Sequence, residues 1–407
     1  NSELEEMGEI QGAGKAMILR KITLPLVLPA ILSAVILTFS KAIGTFGTIN
    51  YLGSPVQYYT LSSQLYMNIN SRDTQTGFAM AILMIIIASI AVFVNQKLIG
   101  SRKSYATIGG KGGRSTLIGL GKVGRPVITA ALFVFFAVGI IMPIVILVME
   151  SFMLKEGIYS LDNFTLHYWI GESNPQIMEG LPGIFKNDEF INSLFNSLRL
   201  TLVNGVFGTI FGQLLGYITA KGRGRLHGKL VEQLVFIPYL IPSVAFGGIY
   251  LSMFSQPQQI FGVTLVPALY GTFALLTLVS VVKHLPFAAR AGTSNMLQIS
   301  GELEEAATIE GAGFFRRFVK IVFPLSKGGF ISGFMLIFVS IMKELDLIIL
   351  IMTPTTSTLP YLAFQYQNGN SPQASNCVAI VMFAIVFLVY AIANLSGKAD
   401  LAKSMAG

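Results

Sequence analysis

Charged side chains are scarce in this chain. Only 12% of its residues are Asp, Glu, Lys or Arg against 53% apolar, and the mean hydropathy is +0.67. That balance excludes a soluble globule and describes a polytopic membrane protein. Cysteine occurs once, at Cys377, which excludes a disulfide within the chain and argues against a cysteine metal cluster. The three histidines, His167, His227 and His284, lie on different segments without a His-Glu-x-x-His spacing, so no metal site is expected from them. No serine stands in a nucleophile-elbow setting, and no catalytic constellation is expected. The run Gly109-Gly-Lys-Gly-Gly-Arg114 invites a phosphate-loop reading, but no Gly-x4-Gly-Lys-Ser/Thr fits there or elsewhere, so the chain carries no recognisable ATP site.

What is present is a series of apolar runs. Eight are long enough, or nearly so, for the roughly 20 residues that a ~30 Å hydrocarbon core requires: 23–39, 76–94, 127–149, 200–220, 230–254, 263–282, 328–342 with an extension to 352, and 377–395. The first and seventh are the least clean. Pro25 and Pro29 interrupt one; Lys343, Glu344 and Asp346 interrupt the other. The basic residues orient the set. With the N-terminal segment on the inside, 22 of the 28 Lys and Arg fall in inside segments, Lys283 and Arg290 among them, and the outside loops keep only Arg72, Lys155 and Lys186. This is the positive-inside pattern, and it predicts both termini in the cytoplasm. The net charge of +8 therefore reports topology and not nucleic-acid binding.

One polar stretch recurs. Glu302 to Gly313 reads as a short helix capped by Ser300 and stopped by Gly311 and Gly313, followed by a second, basic and aromatic helix leading to Pro324. Laid on Glu3 to Leu26 at an offset of 299, the stretch 302–325 matches without a gap at 12 of 24 positions, among them Glu3, Glu5, Glu6, Gly12 and Gly14. Chance gives about one or two. The chain thus contains a duplicated membrane domain whose first copy is incomplete.

Glu305-Ala306-Ala307, Gly311, Ile321 and Pro324 stand at the spacing EAA-x3-G-x9-I-x2-P, which resembles the cytoplasmic EAA loop of permease subunits in binding-protein-dependent ABC importers. The first copy keeps the spacing but departs at both alanines, with Met7 and Gly8. The resemblance implies an all-α polytopic protein of about eight transmembrane helices with the type I importer (MetI-like) permease fold, set in a bacterial inner membrane. It implies contacts with membrane lipid, two ATP-binding cassette subunits that hydrolyse ATP with Mg, and an extracytoplasmic solute-binding protein; the chain itself would be no enzyme and would bind no cofactor. It assigns ATPase coupling to Glu302, Glu304, Glu305, Ala306, Ala307 and Gly311, and to Glu3, Glu5, Glu6 and Gly12. A complete copy would have six spans with the hinge between the fourth and fifth. The expected organisation is therefore 1–98 as the end of a first permease domain, 99–125 as a basic Gly-rich cytoplasmic linker, 126–396 as a complete second domain and 397–407 as a tail, the whole being an N-terminally truncated part of a fused permease.

Several residues are candidates for the solute pathway. Lys343, Glu344 and Asp346 form a charged cluster in an apolar setting, which at roughly 2–3 kcal/mol per unpaired charge must pair internally, lie at an interface or line an aqueous path. Asn192 and Asn196, with Ser193 and Ser197, make a polar face expected to look into protein. Pro238 and Pro242 mark a kinked helix whose freed carbonyls need partners. Trp169, with His167 and Tyr168 in the long outside loop 154–190, suits an aromatic belt or a contact for an external protein. Lys343-Glu-Leu, Thr358-Leu-Pro and the first-copy stretches Gly44-Thr-Phe-Gly47 and Tyr59-Thr-Leu61 are similar to permeases of the ferric-iron type, so iron(III) is the expected solute; relatives serve thiamine, aminoethylphosphonate and sulfate-like anions. A secondary transporter using Lys343, Glu344 and Asp346 as an ion site would explain the charges but not a hinge shared by both copies.

Overall fold

The computed structural model describes residues 2–100, 121–177 and 180–395. Most of the 99–125 linker, the 397–407 tail and the Glu3 side chain lie outside the described residues. The chain divides into two compact units, Asn1–Ile43 with Ile86–Ile146 and Gly44–Ile85 with Leu147–Gly407.

In the first unit, α1 (Ser2–Ile10) and α2 (Lys15–Ile18) lead through a π-helical turn, Leu19–Thr23, into α3 (Leu24–Gly44). The predicted run 23–39 lies within α3 apart from Thr23, which ends the π-helical turn. Next in the chain, α4 (Gly47–Gly53) and α5 (Leu61–Asn70) belong to the second unit, and α6 (Thr74–Gly100), which carries the run 76–94, returns to the first from Ile86 onward. The run 127–149 is one apolar span of 30 residues, Gly121–Glu150, made of α7 (Gly121–Phe136), a π-helical turn and α8 (Met142–Glu150).

The second unit is built on α10 (Asp188–Lys221), which follows the single turn α9 (His167–Ile170). Asn187 caps α10 by accepting from the Glu189 amide at 2.8 Å. Gly205, Gly208, Gly212 and Gly216 recur on one face of this helix, and all four are buried. With no side chain in the way, that face lets neighbouring backbones approach closely, as small residues do in membrane helices. A Cβ at Gly216 would stand 2.5 Å from the Gly292 carbonyl carbon, and one at Gly208 would stand 2.8 Å from Ile337. The partners are α13 (Phe273–Met296) and α17 (Lys327–Met342). Around this seam lie Leu200, Leu275, Val279, Ile337 and Ile341, joined by Leu347, Ile348 and Ile351. A second cluster gathers Phe190, Leu359, Leu362, Cys377 and Val378 on α10, α18 (Leu359–Asn368) and α19 (Pro372–Leu395).

Three sequence expectations are corrected. The run 230–254 is not one kinked helix: α11 (Leu226–Leu240) and α12 (Ser243–Phe254) meet at 97°, because Pro242 follows Ile241 in extended backbone and ends the first helix outright. The run 263–282 does not begin a span at 263. Val263–Val266 is strand β2, antiparallel to β1 (Gln258–Ile260), and the helix starts only at Phe273, where Thr272 caps the Leu275 amide. The span then continues to Met296, so Lys283 is buried at mid-helix and does not belong to an inside loop. The extension to 352 is likewise not helical; α17 stops at Met342, and residues 347–352 form buried turns. Among the described residues five helices are long and apolar enough to cross a membrane, or seven when the two bent pairs are each taken as one span.

Trp169 packs on its own loop, stacked on Phe152 at 5.6 Å and beside Phe185 at 5.8 Å.

The glycine face makes a clear demand. Gly216→Leu forces α10 and α13 apart and should cost about 1–3 kcal/mol or more, whereas Gly139→Ala, with open space at its Cβ position, should leave stability unchanged. Thermal unfolding of the purified protein in detergent checks both.

Candidate functional site

The duplicated hinge folds the same way twice. The second copy consists of α14 (Gly301–Ile309), α15 (Phe314–Arg317) and a π-helical turn, Phe318–Val322, and each boundary lies 299 residues beyond that of α1, α2 and the turn Leu19–Thr23. A short helix, α16 (Phe323–Leu325), and a 76° bend then lead into α17. Gly12 and Gly311 take φ of 83° and 79°. Each closes a Schellman motif: Ala13 and Ala312 donate to the Gly8 and Ala307 carbonyls at 3.0 and 2.9 Å, while Gly12 and Gly311 donate to Glu9 and Thr308 at 2.9 and 3.0 Å. Nothing lies within 4 Å of a Cβ at either glycine, so it is the left-handed backbone and not crowding that requires glycine. At the capping position Ser300 Oγ accepts from the Glu302 amide at 3.3 Å.

The glutamates of the hinge divide into two sets. Glu304 turns inward and is only 8% exposed. Its Oε1 pairs with Lys221 Nζ at 2.6 Å and its Oε2 accepts from the Tyr217 hydroxyl at 2.6 Å, both groups coming from the last turns of α10. Burial alone would raise the Glu304 carboxyl, but the Lys221 and Tyr217 contacts outweigh it and hold the group below its ordinary 4.5. The Tyr217 ring sits 5.7 Å from both Phe314 and Phe318, so α14 and α15 are fastened to α10 together. In the first copy Glu5 also turns inward, accepting from Thr23 Oγ1 at 2.5 Å. Glu302, Glu305 and Ala306 are exposed, as is Glu6, and Ala307 is half-buried. Beside them Ile309, Phe315 and Ile10 are more than three-quarters exposed. At Gly8, where the second copy has Ala307, a Cβ would stand 2.9 Å from Ile22 Cδ1, the movable tip of a side chain. The resemblance assigns all of these glutamates to ATPase coupling alike; Lys221 and Tyr217, one turn apart at a helix end, are the signal that sets Glu304 apart.

Of the pathway candidates, Lys343, Glu344 and Asp346 come together. They line a cavity of about 440 Å³ with Thr45, Gly47, Thr48 and Tyr51 of the first copy and Ser375 and Met382 of the last span. Asp346 Oδ1 accepts from the Gly47 amide at 2.9 Å, a contact between positions 299 residues apart. Glu344 Oε1 accepts from the Leu347 amide at 3.0 Å, and its Oε2 lies 3.6 Å from His284 Nε2. His284 Nδ1 lies 2.9 Å from the Ser280 carbonyl. The acidic groups are thus paired internally as well as open to a cavity.

The other candidates do not line it. Asn192 is exposed. Asn196 donates to the Thr355 and Ser357 carbonyls at 3.2 and 3.0 Å, while buried Ser193 and Ser197 bind Ser357 and the Leu359 amide, so this face holds the 353–359 loop. Pro238 and Pro242 flank the 97° break, where Lys283 Nζ donates to the Pro238 carbonyl at 2.9 Å and to the Ile241 carbonyl. The partner that the freed carbonyls require is a buried lysine. Among the described residues no group of three or more His, Cys, Asp or Glu is placed to hold a metal ion.

Residues 1–105 and 208–399 match the family described as binding-protein-dependent transport system inner membrane component. The ferric transport system permease protein FbpB of Actinobacillus pleuropneumoniae is 22% identical over 395 residues, covering 94% of this chain and 53% of that protein. The sulfate transport system permease protein CysT of Synechocystis is 25% identical over 212 residues, covering 50% of this chain and 71% of that protein. The chain spans about half the length of the ferric permease it matches. The crystal structure of a bacterial ABC transporter that imports the acidic polysaccharide alginate is similar in fold, with a TM-score of 0.52 at 16% identity over 66% of this chain and 94% of that one.

Two outcomes follow from these contacts. Glu304→Gln should loosen α14 by about 1 kcal/mol, a modest figure because Lys221 is partly exposed. Since the folded carboxyl is depressed, the wild-type contribution is complete above pH 4.5 and fades as the pH falls below it toward the folded value. Amide exchange in 301–309 measured against pH reads both. Lys283→Met should cost about 1–3 kcal/mol for each carbonyl left unpaired, with Lys283→Arg retaining part of the loss in thermal unfolding.

Proposed function

Because the chain belongs to the binding-protein-dependent transport system inner membrane component family, we propose that it acts within the translocation subunit of an ATP-driven importer. It passes solute from an extracytoplasmic binding protein to the cytoplasm, and two separate ATP-binding cassette subunits, which bind ATP and Mg, drive it. The chain itself is not an enzyme. The observation that carries this reading is the outward face of the hinge, built twice: exposed carboxylates around an exposed apolar side chain, Ile10 or Ile309, on a short helix whose end is fixed by a Schellman glycine. A rigid helix fastened to α10 by Lys221, Tyr217 and Glu304 passes a push into the spans, where a loop would absorb it.

Both hinges and both ends of the chain face the cytoplasm in this reading, and 154–190 faces outward. Lys283 leaves the positive-inside tally, but the remaining basic residues keep the same bias. The domain organisation is the end of one permease domain, 1–98, a linker and a second domain, 126–396. The solute passes by the cavity at Lys343, Glu344 and Asp346, and iron(III) is the first choice because the ferric relative aligns over nearly the whole chain while the sulfate relative covers half.

Replacing 302–313 by a Gly/Ser linker in the full-length permease should abolish co-purification of the ATPase, and retention of the ATPase would refute the reading. Gly311→Pro or Glu305→Lys should leave ATPase turnover measurable while uptake of labelled solute falls to background; unchanged uptake would remove the hinge from the mechanism.

A further inference from the structure

We propose that the β1–β2 hairpin is a lipid anchor, seated at the headgroup level of the bilayer surface beside the ends of α12 and α13. The hairpin presents its apolar side away from the protein. Val266 packs against the core of the second unit. Val263 and Leu265, with Phe261 at the tip, are 60%, 60% and 102% exposed, Leu265 being the extra residue of a bulge between the paired Thr264 and Val266. A hairpin facing water shows the reverse, polar out and apolar in.

The tip is built for presentation. Phe261 and Gly262 both have positive φ, 51° and 78°, which is the two-residue turn that joins twisted strands and normally starts with Asn, Asp or Gly. An aromatic residue in left-handed backbone is disfavoured, and Phe261 is fully exposed, so no packing among the described residues compensates it here. The partner that fits is indicated by charge. From Gln233 to Val282 there is no Asp, Glu, Lys, Arg or His, a run that contains α12, the hairpin and the start of α13. A docking surface for a soluble protein carries a polar rim with charges that steer and orient the partner, whereas this surface offers Phe, Val, Leu, Thr and Gln, apolar groups that gain by burial at the acyl boundary and no charge that would oppose it. The two strands leave edge amides and carbonyls unpaired, which keeps the backbone among hydrated headgroups and lets only the side chains of 261, 263 and 265 reach the acyl boundary.

The test uses the full chain in phosphatidylcholine nanodiscs. Cysteines placed singly at Phe261, Val263, Thr264 and, as a water-facing control, Asp162 carry an environment-sensitive fluorophore; Cys377 is fully buried, and the unsubstituted chain measures its background. Brominated acyl chains should quench the labels at 261 and 263 several-fold more than the label at 162, with 264 weaker than 263, while iodide shows the opposite order. The 263 and 264 labels leave Phe261 in place, so the alternation can be read even if the tip variant does not fold. Equal iodide quenching at all four positions, or shielding of 261 and 263 only when a soluble binding protein is added, would overturn the proposal.

Discussion

The near-contact of α10 and α13 is the constraint on which the second unit depends. Four glycines on α10 remove every side chain from one stripe, and the backbones meet where Gly216 faces Gly292. In a membrane there is little hydrophobic gain in burying one apolar helix against another, so close packing of this kind supplies the attraction. Because the seam continues to the last turns of α10, it also settles where Tyr217 and Lys221 stand, and with them the inward carboxylate of Glu304. The polar hinge is therefore an extension of the apolar seam and not an appendage to it.

The same helix pair governs the interior. Lys283 and His284 are consecutive on α13, yet they serve different neighbours: one closes the broken turn between α11 and α12, the other approaches Glu344 at the cavity. Burying a lysine is unfavourable without partners, and here two carbonyls freed by the Pro238 and Pro242 segment meet that need. A displacement of α13 along its axis would be felt at both places together.

Much of this was legible in the sequence. The apolar runs, the duplicated hinge and its glycine stops follow from composition, spacing and backbone geometry, and the structure repeats the hinge boundaries residue for residue. The charged cluster at Lys343, Glu344 and Asp346 announced itself by its energetic penalty. What could not be read was direction. Glu304 and Glu305 are neighbours in the chain, yet one is buried and the other exposed, and only the position of α10 decides which is fastened. Lys283 looked like a loop cation because a charge ends a hydropathy window. Asn196 looked like a pathway residue because a polar side chain facing protein has the same pattern whether it lines a channel or holds a loop. The hairpin at 258–266 is not legible because its strands are short and β2, Val-Thr-Leu-Val, merges with the apolar run that follows it.

The hydrogen bond between Gly47 and Asp346 carries an implication about descent. Two positions that correspond in a duplicated chain can touch only near the axis relating the copies. In an assembly of two identical subunits the same residue would meet itself there, and an aspartate would confront another carboxylate across a few ångströms. Once the copies are joined in one polypeptide, each side is free to diverge. Here one side carries an acid and the other a glycine whose bare amide receives it, and a carboxylate that exact symmetry would set against its own copy is a fixed part of the interior.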